Sequence, residues 1–319
     1  MYDYIREEEL LLVGTGNMAQ QYSKVLQAQN IPFYVIGRSE KGTMRFEENT
    51  GISAFPNGVS SYIQTGRPLP KQAVVAVNVE NLYNVATELI DNGVKRILIE
   101  KPGGLHFTEV KMLLEKAQKR SVEIFVAYNR RFYSSVIEAQ RIIEFDGGVT
   151  SFQFDFTEWS HKVEKLNKPK EVLENWLFCN SSHVIDLAFF LGGVPKSIQS
   201  YKNGELDWHK NGAIFVGSGV SEREALFSYQ ANWKAPGRWG IELFTKKTRL
   251  ILQPLEELYI QSLGSLSIDK VQIEDSLDRQ FKPGLYKQIE AFKNHKKEHL
   301  LDLRSHLLLC NSVYQKIIE

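Results

Sequence analysis

Four apolar residues, Leu10-Leu11-Leu12-Val13, run directly into Gly14-Thr15-Gly16-Asn17-Met18-Ala19, and an amphipathic stretch over residues 18–29 follows. A strand that turns through G-x-G-x-x-A into a helix is the phosphate-binding turn of a Rossmann βαβ unit. Gly14 permits the tight turn, Gly16 lets the backbone approach a pyrophosphate, and Ala19 allows close packing of helix on strand. The first N–H groups of the helix and its partial positive charge favour phosphate. Gly14, Gly16, Asn17, Met18 and Ala19 are therefore expected to hold a dinucleotide.

The next hundred residues keep this grammar. Short apolar runs at 33–36, 73–79, 96–99 and 122–127 alternate with helical patterns at about 81–91 and 108–119. Continuous apolar strands alternating with helices predict a doubly wound parallel sheet covered on both faces. After Asn129 the pattern changes. A helix over 133–144 ends at Gly147-Gly148, and period-2 strands follow at 150–156, 198–201, 213–216, 225–231, 240–245 and 249–253. With turns and no crossover helices between them, they predict a large, mostly antiparallel sheet. One strongly helical segment, 181–191, interrupts the series, and helices over 285–296 and 301–318 close the chain. The fold expected is an α/β Rossmann domain over 1–129 and an α+β domain over 130–319. The last helices are long enough to return to the first domain.

Composition excludes several classes. With 39 basic and 38 acidic residues in 319, the formal net charge of +1 predicts no nucleic-acid partner. No stretch approaches the roughly 20 apolar residues of a membrane span. The acidic start, MYDYIREEEL, is not read as a signal peptide. Cys179 and Cys310 are the only cysteines, with no metal-ligand spacing, so no metal is expected and a reducing cytoplasm is.

The end of the second apolar strand bears on which dinucleotide binds. NAD enzymes usually carry an acid there for the ribose hydroxyls, and a basic residue serves the 2′-phosphate of NADP. Here the strand ends Gly37-Arg38-Ser39, with Arg38 24 residues after Gly14. A guanidinium and a hydroxyl suit a phosphate, so NADP(H) is favoured over NAD(H).

Three further segments matter: Glu100-Lys101-Pro102 after an apolar strand, Asn129-Arg130-Arg131-Phe132, and His183-Val184-Ile185-Asp186. Together with the glycine turn they resemble the glucose–fructose oxidoreductase/inositol dehydrogenase (Gfo/Idh/MocA) family along essentially the full chain. The resemblance implies hydride transfer with NAD(P) at a hydroxyl or carbonyl carbon of a sugar, cyclitol or sugar derivative. It implies that Val77 and Asn78 lie beside the nicotinamide and that Glu100 and Lys101 form the motif whose ammonium reaches the reacting oxygen. Asn129, near the cofactor, and Arg131 line the cleft, and His183 is the catalytic histidine. The residue types suit the chemistry: a lysine stabilises developing alkoxide charge, and a histidine exchanges the proton. Relatives pair through the second-domain sheet, which implies a homodimer or homotetramer.

The pattern breaks at one position. Many active members carry an aspartate four residues before this histidine, and here that residue is Cys179, followed by Asn180. A neutral thiol cannot hold an imidazolium, so Cys179 and Asn180 are read as residues that reshape the substrate pocket. Asp186 is an alternative partner for the ring. A silent dinucleotide sensor, and a hydrolase or lyase with tightly held NAD, are the competing functions. Trp159, Trp176, Trp233 and Trp239 are read mainly as core, with sugar stacking the alternative. Arg131, Lys162 and Arg238 are candidates for a substrate phosphate or carboxylate, and spacing does not choose among them.

Overall fold

In the computed structural model, residues 9–319 are described, so the acidic stretch before Glu9 lies outside the described residues. They divide into two compact units: 9–128 with 280–307, and 129–279 with 308–319.

The first unit is built on the apolar runs. β1 (Leu10–Val13), β2 (Phe33–Ile36), β3 (Gln72–Val75), β4 (Arg96–Glu100) and β5 (Glu123–Ala127) form a parallel sheet in the order β5-β4-β3-β1-β2. All four residues of β1 are buried, as a strand covered on both faces requires. The connections are helical: α1 (Asn17–Ala28), α2 (Glu40–Thr50), α3 (Gly58–Gln64), α4 (Leu82–Asp91) and α5 (Phe107–Arg120). The run expected as a strand over 73–79 ends at Val75. Ala76 N–H still donates to Val13 O, and the chain then turns at Val77-Asn78 into a 3-10 turn, Val79–Asn81.

The C-terminal part of this unit departs from the expected pair of helices. Leu285–Lys293 is helical, but Leu301–Asp302 is a short strand that pairs antiparallel with β5. Asp302 explains the break: its carboxylate accepts the N–H groups of Arg304 and Ser305, each at 3.0 Å. An Asp in this position caps a helix that starts after it.

In the second unit α6 (Ser134–Phe145) leads into an eight-stranded sheet. Its strands are β6 (Ser151–Asp155), β7 (Pro195–Asn203), β8 (Ile214–Ser221), β9 (Leu226–Asn232), β10 (Gly240–Phe244), β11 (Thr248–Leu252), β12 (Tyr259–Ser262) and β13 (Asp269–Lys270). The order is β13-β12-β11-β10-β6-β9-β8-β7; β6 and β9 are parallel and every other pair is antiparallel. One helix, α7 (Ser182–Gly192), packs on β6 and β10 with every residue but Phe190 buried. Gly192 fits there because a Cβ would stand 2.3 Å from the Phe152 ring. Phe189 of α7 meets Phe152, Phe154 and Phe227 of the sheet edge-on, and Phe152 stacks on Phe227. Among the described residues no helix is long and apolar enough to cross a membrane.

Candidate functional site

Because β4, β3, β1 and β2 are adjacent and parallel, the residues that follow them share one edge of the sheet. That edge carries Lys101, Val77, Gly14 and Arg38 in spatial order, where ligands bind in doubly wound sheets. Gly14 has φ +127°, and a Cβ on it would lie 2.2 Å from Ala76 O, so the turn needs glycine for the fold itself. Gly16 is different: nothing lies within 4 Å of where its Cβ would be. The backbone there borders open space at the N-terminus of α1, and a pyrophosphate fits that cradle. Asn17 is exposed and opens α1, Met18 is half-buried, and Ala19 is buried against the sheet.

The turn after β2 packs closely on the turn after β1. A Cβ on Gly37 would meet Thr15 Cγ2 at 2.7 Å and Thr43 Cγ2 at 2.5 Å. Ser39 caps α2, its Oγ accepting the Gly42 N–H at 3.2 Å. α2 itself is absent from the hydrophobic pattern, since only Thr43 and Phe46 of its eleven residues are buried. Arg38 is exposed and has no ion pair or side-chain hydrogen bond among the described residues.

Glu100 ends β4 half-buried and accepts the Tyr22 hydroxyl proton at 2.8 Å. Burial pushes its carboxyl above the usual carboxylate range, while Tyr22, Lys101 and Lys282 pull it back. Burial and the Glu100 charge together push the Tyr22 phenol well up. Lys101, half-buried, precedes a cis bond to Pro102. The turn is held from behind by a residue that sequence reading missed. His306, fully buried, donates from Nε2 to Pro102 O at 2.8 Å and lies 5.6 Å from the Tyr128 ring. Glu109 Oε2 accepts the Leu105 N–H at 2.6 Å, fixing the start of α5.

The remaining expected residues belong to the second unit. Asn129 and Arg131 lie buried on a 3-10 turn, Asn129–Phe132. Arg131, expected to bind substrate, has that donor edge filled. Its Nε and Nη2 donate to the two oxygens of Asp186 at 2.8 and 2.6 Å, and its face lies 4.6 Å from the Phe190 ring. Asp186 therefore belongs to Arg131. Burial raises its carboxyl and the guanidinium opposes that shift.

Cys179 and Asn180 sit on a π-helical turn, Leu177–Ser181, that runs into α7. The π turn widens the helix between Cys179 and His183, which follows it as the second residue of α7. Cys179 is buried and His183 is 9% exposed. The side chain facing this turn is Glu158, which lies beyond the end of β6 and 4% exposed. Glu158 Oε1 accepts from Asn180 Nδ2 at 2.9 Å and from Ser181 Oγ at 2.7 Å. Burial pushes the Glu158 carboxyl up; Ser181, Asn180, Trp176 and Arg238 oppose it. A lone glutamate after a strand carries no sequence signal, so only the fold reveals it.

Of the tryptophans, Trp233 stacks on Trp208 at 5.6 Å and Trp176 meets Trp208 edge-on, so both are core. Trp239 is buried 6.3 Å from the His183 ring, and Trp159 is 40% exposed. Among the described residues no group of three or more His, Cys, Asp or Glu side chains is arranged to hold a metal ion.

A family model described as an oxidoreductase family with an NAD-binding Rossmann fold matches residues 9–128. Two uncharacterized oxidoreductases of Schizosaccharomyces pombe are 29% and 28% identical over 153 and 159 residues. The matched segments span 46% and 47% of this chain, and 41% and 42% of those proteins. Among solved structures, UDP-N-acetylglucosamine 3-dehydrogenase GnnA from Acidithiobacillus ferrooxidans has TM-score 0.74 at 15% identity, covering 97% of this chain and 96% of that one. Levoglucosan dehydrogenase in complex with NADH has TM-score 0.76 at 17% identity, with the same coverage. An NAD binding oxidoreductase from Klebsiella pneumoniae has TM-score 0.77 at 12% identity, again covering 97% and 96%. At these identities the structural matches establish a shared fold.

Proposed function

Through its nucleotide-binding domain this chain belongs to the Gfo/Idh/MocA oxidoreductase family, and we propose that it is an NADP(H)-dependent oxidoreductase acting on a sugar-like hydroxyl or carbonyl. The observation that carries the reading is the single sheet edge on which the open Gly16 cradle, the Arg38 turn and Lys101 all lie. Structural neighbours include dehydrogenases of levoglucosan and of a UDP-linked amino sugar, which supports a sugar-like substrate. The nicotinamide dinucleotide, when bound, supplies or takes the hydride. Gly14, Gly16, Asn17, Met18 and Ala19 hold its pyrophosphate, and Val77, Asn78, Glu100 and Asn129 border it.

Arg38 and Ser39 select NADP(H). The guanidinium is uncommitted, and the start of α2 beside it adds backbone N–H groups and a partial positive charge. Lys101 polarises the substrate oxygen, and His183 exchanges its proton, so that charge never accumulates there during hydride transfer. Arg131 positions the start of the second unit through Asp186, and Cys179 and Asn180 shape the pocket beside His183. The buried free cysteines suit a reducing cytoplasm. The outer face of the second sheet, with Tyr201, Val216 and Leu226 exposed, would serve a homodimer or homotetramer.

The test is hydride transfer followed by nicotinamide absorbance across sugars, cyclitols and sugar nucleotides. Arg38→Asp should weaken NADP(H) binding about 10- to 100-fold and spare NAD(H), the loss expected for a charge-assisted bidentate contact. Lys101→Met should lower kcat by about 1000-fold with cofactor affinity kept. An unchanged NADP(H)/NAD(H) preference, or a Lys101→Met enzyme with full turnover, would refute the corresponding assignment.

A further inference from the structure

The second unit gathers an unusual number of donors with no acceptor around Trp239. The Arg130 guanidinium lies 5.0 Å from the Trp239 ring centre and that of Arg238 lies 5.4 Å from it. Arg238 also lies 4.9 Å from Trp159, whose ring carries the Lys162 ammonium at 4.1 Å. Stacking on a ring occupies the face of a guanidinium and leaves its in-plane N–H groups free. Arg238 and Lys162 are exposed and Arg130 is half-buried, and among the described residues none of the three has a carboxylate within ion-pair distance. Arg130 Nε and the indole Nε1 of Trp239 are both buried without a hydrogen-bond partner, and Trp239 is 6% exposed. The nearby acid, Glu158, already accepts from Ser181 and Asn180.

The segments that bring these groups together are neighbours in the sheet. Asp155, at the end of β6, pairs with Gly240, at the start of β10, so residues 156–159 and 237–239 leave the same edge side by side. Trp159 Nε1 donates to Gly237 O at 2.9 Å and ties the two together. His183, on the helix packed over β6 and β10, lies 6.3 Å from Trp239.

Buried donors without acceptors call for a ligand that only accepts. We infer that the Trp239 cluster, with Arg130 and Arg238, binds an oxyanion, phosphate or carboxylate, carried by the sugar-like substrate. Arg131 already gives its Nε and Nη2 donors to Asp186, whereas Arg238 and Lys162 have no carboxylate on them among the described residues. The inference rests on the sugar-oxidoreductase reading and assigns a charge to its substrate.

The full-length protein would be titrated calorimetrically with glucose, glucuronate, glucose 1-phosphate and UDP-glucose, with NADP(H) affinity and hydride transfer measured in parallel. At least one charged sugar should bind tenfold or more tightly than glucose. Arg238→Gln should erase that advantage, and Trp239→Phe, which keeps an aromatic face of smaller size and removes the N–H, should reduce it. NADP(H) affinity should not change in either variant. Preference for glucuronate alone identifies a carboxylate, and for the phosphorylated sugars a phosphate. Equal binding of glucose, no binding of any charged sugar, or an advantage that survives Arg238→Gln overturns the inference. Oxyanion-dependent binding without hydride transfer to any substrate class would count against the oxidoreductase reading alone.

Discussion

Gly14 and Gly16 are two residues apart and glycine for different reasons. At Gly14 the backbone is left-handed, and a Cβ would stand 2.2 Å from Ala76 O. Gly14→Ala should therefore cost about 2–4 kcal/mol, from strain plus a displaced strand end, and lower the melting temperature. At Gly16 the space is open and φ is −82°, so Gly16→Ala should fold with an unchanged melting temperature. The loss there should fall on cofactor affinity, about tenfold, the cost of a methyl group where backbone meets pyrophosphate. If Gly16→Ala binds cofactor as the parent does, the cradle is misassigned. Glu158 offers a pH signature. Burial holds its folded-state value above the unfolded one, near 4.3. Between the two values the native state binds the extra proton, so stability is greatest below the unfolded value and falls as pH rises through the folded one. Glu158→Gln retains an acceptor for Ser181 and Asn180 and removes the titration. Its melting temperature should gain on the parent's as pH rises from about 4 to neutrality; parallel curves would exclude a raised Glu158 carboxyl.

Among elements, those with strong periodicity were legible and those held by other means were not. β1, with four consecutive buried apolar residues, and α7, with its nearly all-apolar sequence, could be read directly. α2 could not, because a polar helix with two buried side chains carries no stripe, and its mark is the cap Ser39. The strand Leu301–Asp302 reads as helix because two residues are too few for a period, and its pairing with β5 is non-local. The site follows the same rule. Contiguous motifs such as Gly14–Ala19 and Glu100–Pro102 were visible, whereas Glu158 and His306 act through partners 23 and 204 positions away. The Arg131–Asp186 pair joins the 3-10 turn at 129–132 to α7 and can be tested as an element-level link. Asp186→Ala removes the carboxylate from a buried guanidinium and should cost about 3–5 kcal/mol by denaturant unfolding. Arg131→Met with Asp186→Leu removes both charges and should cost much less; an equal cost would mean that packing rather than the ion pair makes the link.

The chain enters the first unit twice, since residues 280–307 complete a domain begun at the N-terminus. That segment supplies a strand that covers the edge of β5 and a histidine that reaches the turn carrying Lys101. It also supplies Tyr286, whose carbonyl accepts the Gln29 side chain beyond the end of α1, at 2.8 Å. An exposed sheet edge invites non-native pairing, and the turn at Pro102 would lose its one buried side-chain donor among the described residues. The dinucleotide domain should therefore depend on sequence far outside the region that carries its motif. His306→Phe keeps the ring volume beside Tyr128 and removes the Nε2 donor to Pro102 O, leaving a buried carbonyl unpaired. A cost of about 1–3 kcal/mol is expected from that carbonyl, together with a lower kcat from a less firmly held Lys101. His306→Asn, which can still donate, should recover part of the kcat. If His306→Phe is destabilised with kcat intact, the histidine holds the fold alone; if kcat falls and His306→Asn restores it, the C-terminal segment positions the chemistry as well.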